Sequence, residues 1–220
     1  MNSNTPKGIE VEKLECNASK GYLLFKRVFD IVFCLLVGII ISPLLIILAL
    51  CVKIDSKGTV LFRHKRVGKH GEFIYLYKFR TMVSDANDLD KYFTEEQKRE
   101  YLENFKLDDD PRITKMGKFL RKTSLDELPQ LLNIINGDMS LIGPRPITEL
   151  ELYRYEDKLP VFLSVTPGLT GWWACQGRSK LTYAERVVLE LYYAENCSFK
   201  LDVKCFFKTI VSVLLGDGAV

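Results

Sequence analysis

The sequence is poor in the residues that build common metal and nucleotide sites. It has two histidines, His64 and His70, so a histidine-rich metal centre is excluded. Its six cysteines contain no CxxC pair, which fits reduced thiols better than a zinc site or a disulfide framework. There is no GxxxxGK[ST] phosphate loop, GxGxxG, GxSxG or HExxH motif. The net charge of +3 is too small for a protein that coats nucleic acid, and nucleic acid is not an expected partner.

What the chain does have is one long apolar run. An unbroken series of uncharged residues extends from Ile31 to Val52. As a straight helix it would be roughly 33 Å long, enough to cross a hydrocarbon core of about 30 Å. It begins too far from the N-terminus for a cleavable signal peptide, and Lys53 follows it in place of a small-residue cleavage site. The run predicts association with a membrane.

Ser42 and Pro43 interrupt this run near its middle, where proline removes a backbone donor. Basic residues flank it on both sides, whereas a simple spanning helix has a basic excess on one side. These features fit a re-entrant hairpin and a kinked spanning helix about equally. Asp30 lies at the membrane edge and requires a partner, for which Lys26 and Arg27 are the nearest candidates.

The rest of the chain predicts one compact α+β unit that is mostly helical. Strands at 59–62 and 73–79 form a β-hairpin, and alternation places Lys78 and Arg80 on one face of the second strand. Acidic residues dominate 85–110, and we interpret this stretch, including the Asp run at 108–110, as solvated helix and loop. Helices are expected at 114–122, 124–135, 182–194 and 199–215, the last of them amphipathic.

Asp126 and Glu127 form the one carboxylate pair in a cationic setting. Ser124 to Glu127 also fits a capping box, which is a purely structural explanation. However, Arg121 lies just upstream, and Arg145 is held between two prolines in a way that suits a guanidinium binding phosphate. A carboxylate in this position could attack phosphorus if a divalent cation screens the repulsion.

Four motifs follow one another in the chain and are together specific for one protein family: YKFRTM, DPRITKMGKFLRKTSLDELPQLLNIINGDMSLIGPRP, TPGLTGWW and ELYYAENCSFKLDVK. Together they resemble the bacterial sugar transferases, the small monotopic polyprenyl-phosphate phosphoglycosyl transferases that initiate surface glycans. The resemblance covers nearly everything from Lys26 to about Ile210. It implies a UDP-sugar donor, an undecaprenyl (polyprenyl) phosphate acceptor, Mg²⁺, and a re-entrant helix on the cytoplasmic face of the bacterial inner membrane. Such an enzyme performs the first membrane step of capsule, O-antigen or exopolysaccharide assembly.

The resemblance also implies roles for individual residues. Asp126 is the nucleophile that forms a covalent phosphosugar and releases UMP, and Glu127 with Asp126 binds Mg²⁺. The residues expected to contact substrate are Lys78, Arg80, Arg121, Arg145, Arg178 and Asp202. Those expected to form the membrane anchor are Lys26, Arg27, Asp30, Ser42 and Pro43.

The resemblance also implies a domain organisation. The expected domains are an N-terminal tail at 1–20, a re-entrant membrane helix at 21–56 and a cytosolic catalytic domain with amphipathic interfacial helices at 57–220. A homodimer, membrane lipid and downstream glycosyltransferases are candidate partners, and a catalytically silent membrane-bound scaffold is the alternative function. The sequence departs from the family after Trp172 and Trp173, where Ala174-Cys175-Gln176 replaces an immediate glutamine, and this bears on the donor sugar.

Overall fold

A computed structural model describes residues 8–104, 107, 109–177 and 181–214. The helices in chain order are α1 Lys20–Asp55, α2 Leu89–Tyr92, α3 Glu95–Asn104, α4 Lys115–Thr123, α5 Leu131–Asn136, α6 Leu159–Phe162, α7 Tyr183–Asn196 and α8 Phe199–Leu214. The strands are β1 Leu61–Val67, β2 Phe73–Phe79, β3 Ser140–Ile142 and β4 Gly168–Thr170, and three 3₁₀ segments lie at Lys69–Gly71, Leu125–Gln130 and Glu149–Lys158. The predicted helical character and the hairpin are both present.

The chain divides into two compact units. The first comprises the described residues of Met1–Ile40, Arg63–Tyr77 and Gln130–Val220, and the second comprises Ile41–Phe62 and Lys78–Pro129. α1, β1 and β2 therefore each contribute residues to both units. The division expected from the sequence, with a boundary between residues 56 and 57, stays a prediction.

α1 is the one helix among the described residues that is long and apolar enough to cross a membrane. It continues without interruption past Ser42 and Pro43, over 36 residues or about 54 Å. Only 11% of its most apolar window is buried inside the protein, whereas the core helix of a soluble protein would be mostly buried. These large exposed side chains need an apolar environment, which indicates association with a membrane.

The first half of α1 is held by polar contacts in the first unit. Asp30 is buried, and it accepts hydrogen bonds from Ser140 Oγ at 2.6 Å and from the Leu141 N–H at 3.2 Å. The sequence suggested Lys26 and Arg27 as its partners, but both cations are engaged elsewhere. The Lys26 ammonium donates to Asp202, and the Arg27 guanidinium donates to the last carbonyls of α5. The hydrogen bonds to Asp30 therefore come from neutral donors, and Lys26 acts on it only through its charge.

Two short sheets and one core complete the first unit. β1 pairs with β2, and β1 extends through the charged residues Arg63 to Arg66, beyond the strand predicted at 59–62. β3 and β4 run parallel, with Ser140 opposite Gly168. A core of this unit is formed by five buried side chains, Val67, Ile147, Tyr155, Phe162 and Leu163.

In the second unit, the other half of α1 packs against the residues that follow β2. Leu48 and Val52 are buried with Phe79 and Leu120. Arg80 is also buried, and its guanidinium donates to the carbonyl oxygens of Ser56 at 2.7 Å and Lys57 at 2.9 Å. Helix C-termini leave such carbonyls without intrahelical partners. The guanidinium of Arg80, predicted to contact substrate, is thus committed to the end of α1.

The acidic stretch is less solvated than predicted. Asp110 and Arg112 are both 4% exposed, and they form a bidentate ion pair with distances of 2.9 Å and 2.6 Å. The Arg112 guanidinium lies 4.4 Å from the ring centroid of Phe93 and 4.6 Å from that of Tyr101. The interpretation of residue 110 as a solvated loop was wrong, because a downstream arginine compensates its charge inside the fold.

Candidate active site

The Asp126–Glu127 pair lies in the 3₁₀ segment that follows α4. Ser124 ends α4 in the left-handed conformation, with φ of 55°, and its N–H donates to carbonyls of α4. This turn directs Leu125 and Leu128 toward the core of the second unit and leaves the two carboxylates between them in sequence. Ser124 therefore acts as the C-cap of α4, where the sequence suggested the N-cap of the next helix.

Lys78 holds Glu127. Its Nζ donates to Glu127 Oε1 at 2.6 Å, and the side chains of the two residues are 19% and 31% exposed. The lysine is the next-to-last residue of β2, so the strand brings a cation to the carboxylate pair. Water reaches both partners, and the geometry therefore serves orientation more than stability.

Asp126 is more deeply placed than its neighbour, being 9% exposed. Burial raises the pKa of its carboxyl above the usual value, while Lys78 and Arg121 act in the opposite direction. Lys78 and Arg121 act on this carboxylate through their charge, and within the described part of the chain no side chain donates a hydrogen bond to it. A poorly solvated carboxylate near two cations suits nucleophilic attack on an anionic substrate.

Arg121 approaches the pair from the last turn of α4. Its Nε donates to Thr81 Oγ1 at 3.0 Å, and burial lowers the pKa of the guanidinium. Thr81 was not singled out by the sequence. It lies beyond β2 in the YKFRTM motif, and neither strand alternation nor charge distinguishes it from an ordinary strand residue.

The remaining predicted substrate residues lie in the first unit or outside the described residues. The Arg145 N–H donates to buried Glu190 at 3.2 Å, and its guanidinium lies 5.5 Å from the ring centroid of Trp173. Asp202 accepts hydrogen bonds from Lys26, Tyr22 and Tyr193, so it holds α1 against α7 and α8. Arg178 lies outside the described residues.

Comparisons with known proteins agree with the motifs. The model of a family described as bacterial sugar transferase matches residues 21–216. An undecaprenyl-phosphate galactose phosphotransferase of Salmonella typhimurium is 44% identical over 205 residues, which are 92% of this chain and 43% of that protein. The exopolysaccharide production protein ExoY of Sinorhizobium fredii is 42% identical over 197 residues, covering 88% and 87%.

A third relative, the UDP-glucose:undecaprenyl-phosphate glucose-1-phosphate transferase of Escherichia coli, is 38% identical over 204 residues. These cover 89% of the chain and 41% of that protein. The chain thus spans less than half the length of the Salmonella and Escherichia relatives, but most of the length of ExoY.

Proposed function

Because the chain belongs to the bacterial sugar transferase family, we propose that it transfers a sugar 1-phosphate from a UDP-sugar to undecaprenyl phosphate. The reaction would release UMP and begin the assembly of a surface glycan. Relatives named for galactose and for glucose transfer suggest a UDP-hexose as donor. The observation that carries the proposal is the placement of Asp126, a buried carboxylate between Lys78 and Arg121.

The proposed chemistry consists of two displacements at one phosphorus atom. A carboxylate oxygen of Asp126 attacks the phosphorus that carries the sugar, and the bond from that phosphorus to the bridging oxygen of the donor breaks. UMP leaves with the electron pair of that bond. An oxygen of the lipid phosphate then attacks the aspartyl phosphosugar, which restores Asp126 and yields the lipid diphosphate sugar. Both attacking oxygens are anionic, so no strong general base is required.

The carboxylate pair also fits a magnesium ion. Mg²⁺ in phosphoryl-transfer sites takes one or two carboxylates and completes its coordination with substrate phosphates and water. Among the residues that the structure describes there is no cluster of three or more His, Cys, Asp or Glu that could hold a metal alone. Glu127 and Asp126 would therefore hold the ion together with the donor. The bound ion would supply neutralisation of the phosphate charge.

The contacts of α1 support a re-entrant arrangement on the cytoplasmic face. Residues after Asp55 contact both halves of α1, through Ser140 and Asp202 at its start and through Phe79 and Leu120 near its end. The described residues after Asp55 contain no further helix long and apolar enough to cross a membrane. All these residues would then lie on one side, and both ends of α1 with them.

Release of UMP is the test of the activity. Purified protein with Mg²⁺ and undecaprenyl phosphate should release UMP from one of UDP-galactose, UDP-glucose or UDP-N-acetylglucosamine. Asp126→Asn should abolish release, whereas Asp157→Asn, at an exposed aspartate, should leave it unchanged. Short incubation without lipid, followed by intact-mass measurement, should show one sugar phosphate on the wild type and none on Asp126→Asn. Undiminished turnover by Asp126→Asn would contradict the mechanism, and UDP binding without turnover would favour the scaffold.

Topology has its own test. Single cysteines at Gly21 and Ser56, in a background without the native cysteines, should both resist a membrane-impermeant maleimide applied to intact spheroplasts. Both should react after the membrane is opened. Labelling at only one position in intact spheroplasts would instead indicate a spanning helix.

A further inference from the structure

Thr81 is uncharged, yet its hydroxyl holds the Arg121 guanidinium, whose charge acts on the proposed nucleophile Asp126. We infer that Thr81 is the positioning residue of Arg121, fixing the plane of its guanidinium for the transferred phosphoryl group. This inference rests on the proposed function for its chemistry. The hydrogen bond from Arg121 Nε to Thr81 Oγ1, at 3.0 Å, is the contact that carries it.

Thr81 is itself held firmly. It is 8% exposed, and its carbonyl accepts a hydrogen bond from the Thr114 N–H at 3.0 Å. On the next residues, Met82 forms an antiparallel bridge with Ile113, and the Val83 N–H donates to the Arg112 carbonyl at 3.0 Å. The hydroxyl is therefore presented from a backbone that is paired along its length.

The first turn of α4 packs directly on Thr81. A Cβ built on Gly117 would approach the Thr81 carbonyl oxygen to 2.0 Å, so only glycine permits this distance. Arg121 follows Gly117 by one helical turn and lies on the same face of α4. The close approach at Gly117 thus sets the distance from which Arg121 reaches the hydroxyl.

The hydrogen bond to Thr81 engages only one of the three nitrogens of the Arg121 guanidinium, and this determines how Arg121 can bind a ligand. Nε is the donor nearest the aliphatic chain, and a bond there fixes the plane of the group while leaving the two Nη atoms at its outer edge. Within the described residues the Nη atoms make no hydrogen bond. Two parallel N–H donors at one edge match two oxygens of a phosphate. The charge of Arg121 also acts on the Asp126 carboxyl, and in the proposed reaction this outer edge would bind oxygens of the reacting phosphoryl group.

Loss of the hydroxyl should act on the transition state more than on binding. An Arg121 that is free to swing retains its charge and its attraction for the donor, but it is no longer preorganised for the charge that develops. We expect Thr81→Val to lower kcat/KM for the UDP-sugar by roughly ten- to hundred-fold, as for a hydrogen bond to a charged group. The loss should appear mainly in kcat, with a smaller rise in KM. Thr81→Ser keeps a hydroxyl and should stay within a few-fold of the wild type.

A matched control and a double-mutant cycle separate positioning from folding. Thr123 is an exposed threonine of α4 whose hydroxyl donates to carbonyls of its own helix, and Thr123→Val should leave kcat and KM unchanged. If Thr81 acts through Arg121, then Thr81→Val should have little further effect on kcat in an Arg121→Ala background. Fully additive losses, or a Thr81→Val enzyme with wild-type kcat, would overturn the inference.

The same cycle measured on denaturant unfolding gives a reading that does not depend on turnover. Coupling between Thr81→Val and Arg121→Ala is expected in the free energy of unfolding, whereas Thr123→Val and Arg121→Ala should be additive. A wild type that releases no UMP, together with clear coupling in unfolding, would reject the proposed function and retain the contact. Absence of coupling in unfolding would overturn the inference whether or not the wild type is active.

Discussion

The Lys78 ammonium donates to Glu127 Oε1 at 2.6 Å, across 49 positions of sequence. Its charge also opposes the effect of burial on the Asp126 carboxyl. One cation from β2 thus acts on both carboxylates of the candidate site, orienting one and helping to keep the other ionised. Its loss should affect chemistry more than folding.

We expect Lys78→Met to lower kcat for UMP release by roughly a hundred-fold, the usual cost of removing one preorganised donor from a site of charge development. Lys78→Arg keeps the charge and should recover part of the rate. The control is Lys118→Met, which removes an exposed lysine that pairs with Asp109 on the surface. Steady-state kinetics with a saturating donor measures the effect, and wild-type kcat in Lys78→Met would refute it.

We expect the buried Asp126 carboxylate to reduce the stability of the fold. Because burial raises its pKa in the folded state, protonation favours folding at this position. The cost of the buried charge is therefore present above the folded pKa and is relieved as the pH falls through it. Asp126→Asn, which carries no charge, should melt a few degrees above the wild type at neutral pH.

The same reasoning predicts that this difference in melting temperature shrinks in acid. Thermal unfolding of both proteins from neutral to acidic pH measures it, with Asp157→Asn as the control for loss of an exposed carboxylate. A wild type more stable than Asp126→Asn at neutral pH would show that the carboxylate has stabilising partners in the fold. The rate of UMP release should fall over the same acidic range, since the nucleophile must be ionised.

The Asp110–Arg112 pair should be among the more sensitive positions for stability. Arg112→Met leaves the Asp110 carboxylate buried without its partner, which typically costs about 3–5 kcal/mol. The double variant Asp110→Asn with Arg112→Met should recover part of that loss. Urea unfolding gives the comparison, with Lys98→Met, which removes a cation paired with the exposed Asp90 and Glu95, as a control expected to have a much smaller effect. Equal losses of unfolding free energy in Arg112→Met and Lys98→Met would contradict this prediction.

Local patterns predicted the elements well. Periodicity and turn residues located α4, α7, α8 and β2, because these depend on neighbouring residues. The first strand was predicted too early, since β1 begins at Leu61 and continues through charged residues to Val67. The errors occurred at side chains whose hydrogen-bond partners lie far away in the sequence. Asp30 is satisfied by Ser140, 110 positions away, and neither periodicity nor charge can reveal such a partner. Arg80 shares a strand face with Lys78 by alternation, yet it turns to the end of α1 because β2 stops at Phe79.

The candidate site shows the same division. The motif around Asp126 and Glu127 was recognised from residue types and order. The capping box expected at Ser124 was wrong, since Ser124 adopts the left-handed conformation that ends α4 and caps that helix, not the next one. Thr81 could not be anticipated, because its importance comes from a contact made 40 positions away.

The hydrogen bonds from Arg80 to the carbonyls of Ser56 and Lys57 connect the end of α1 to the end of β2. Arg80 comes two residues after Lys78, and its own N–H donates to the Val60 carbonyl at 2.9 Å. A displacement of α1 is therefore passed to the strand end that carries Lys78 through the Arg80 side chain, beside the packing of Phe79 on Leu48 and Val52. If the chain acts as proposed, its lipid acceptor would present the phosphate at one depth, and a bilayer of unsuitable thickness should strain the Arg80 contacts before it disturbs Asp126.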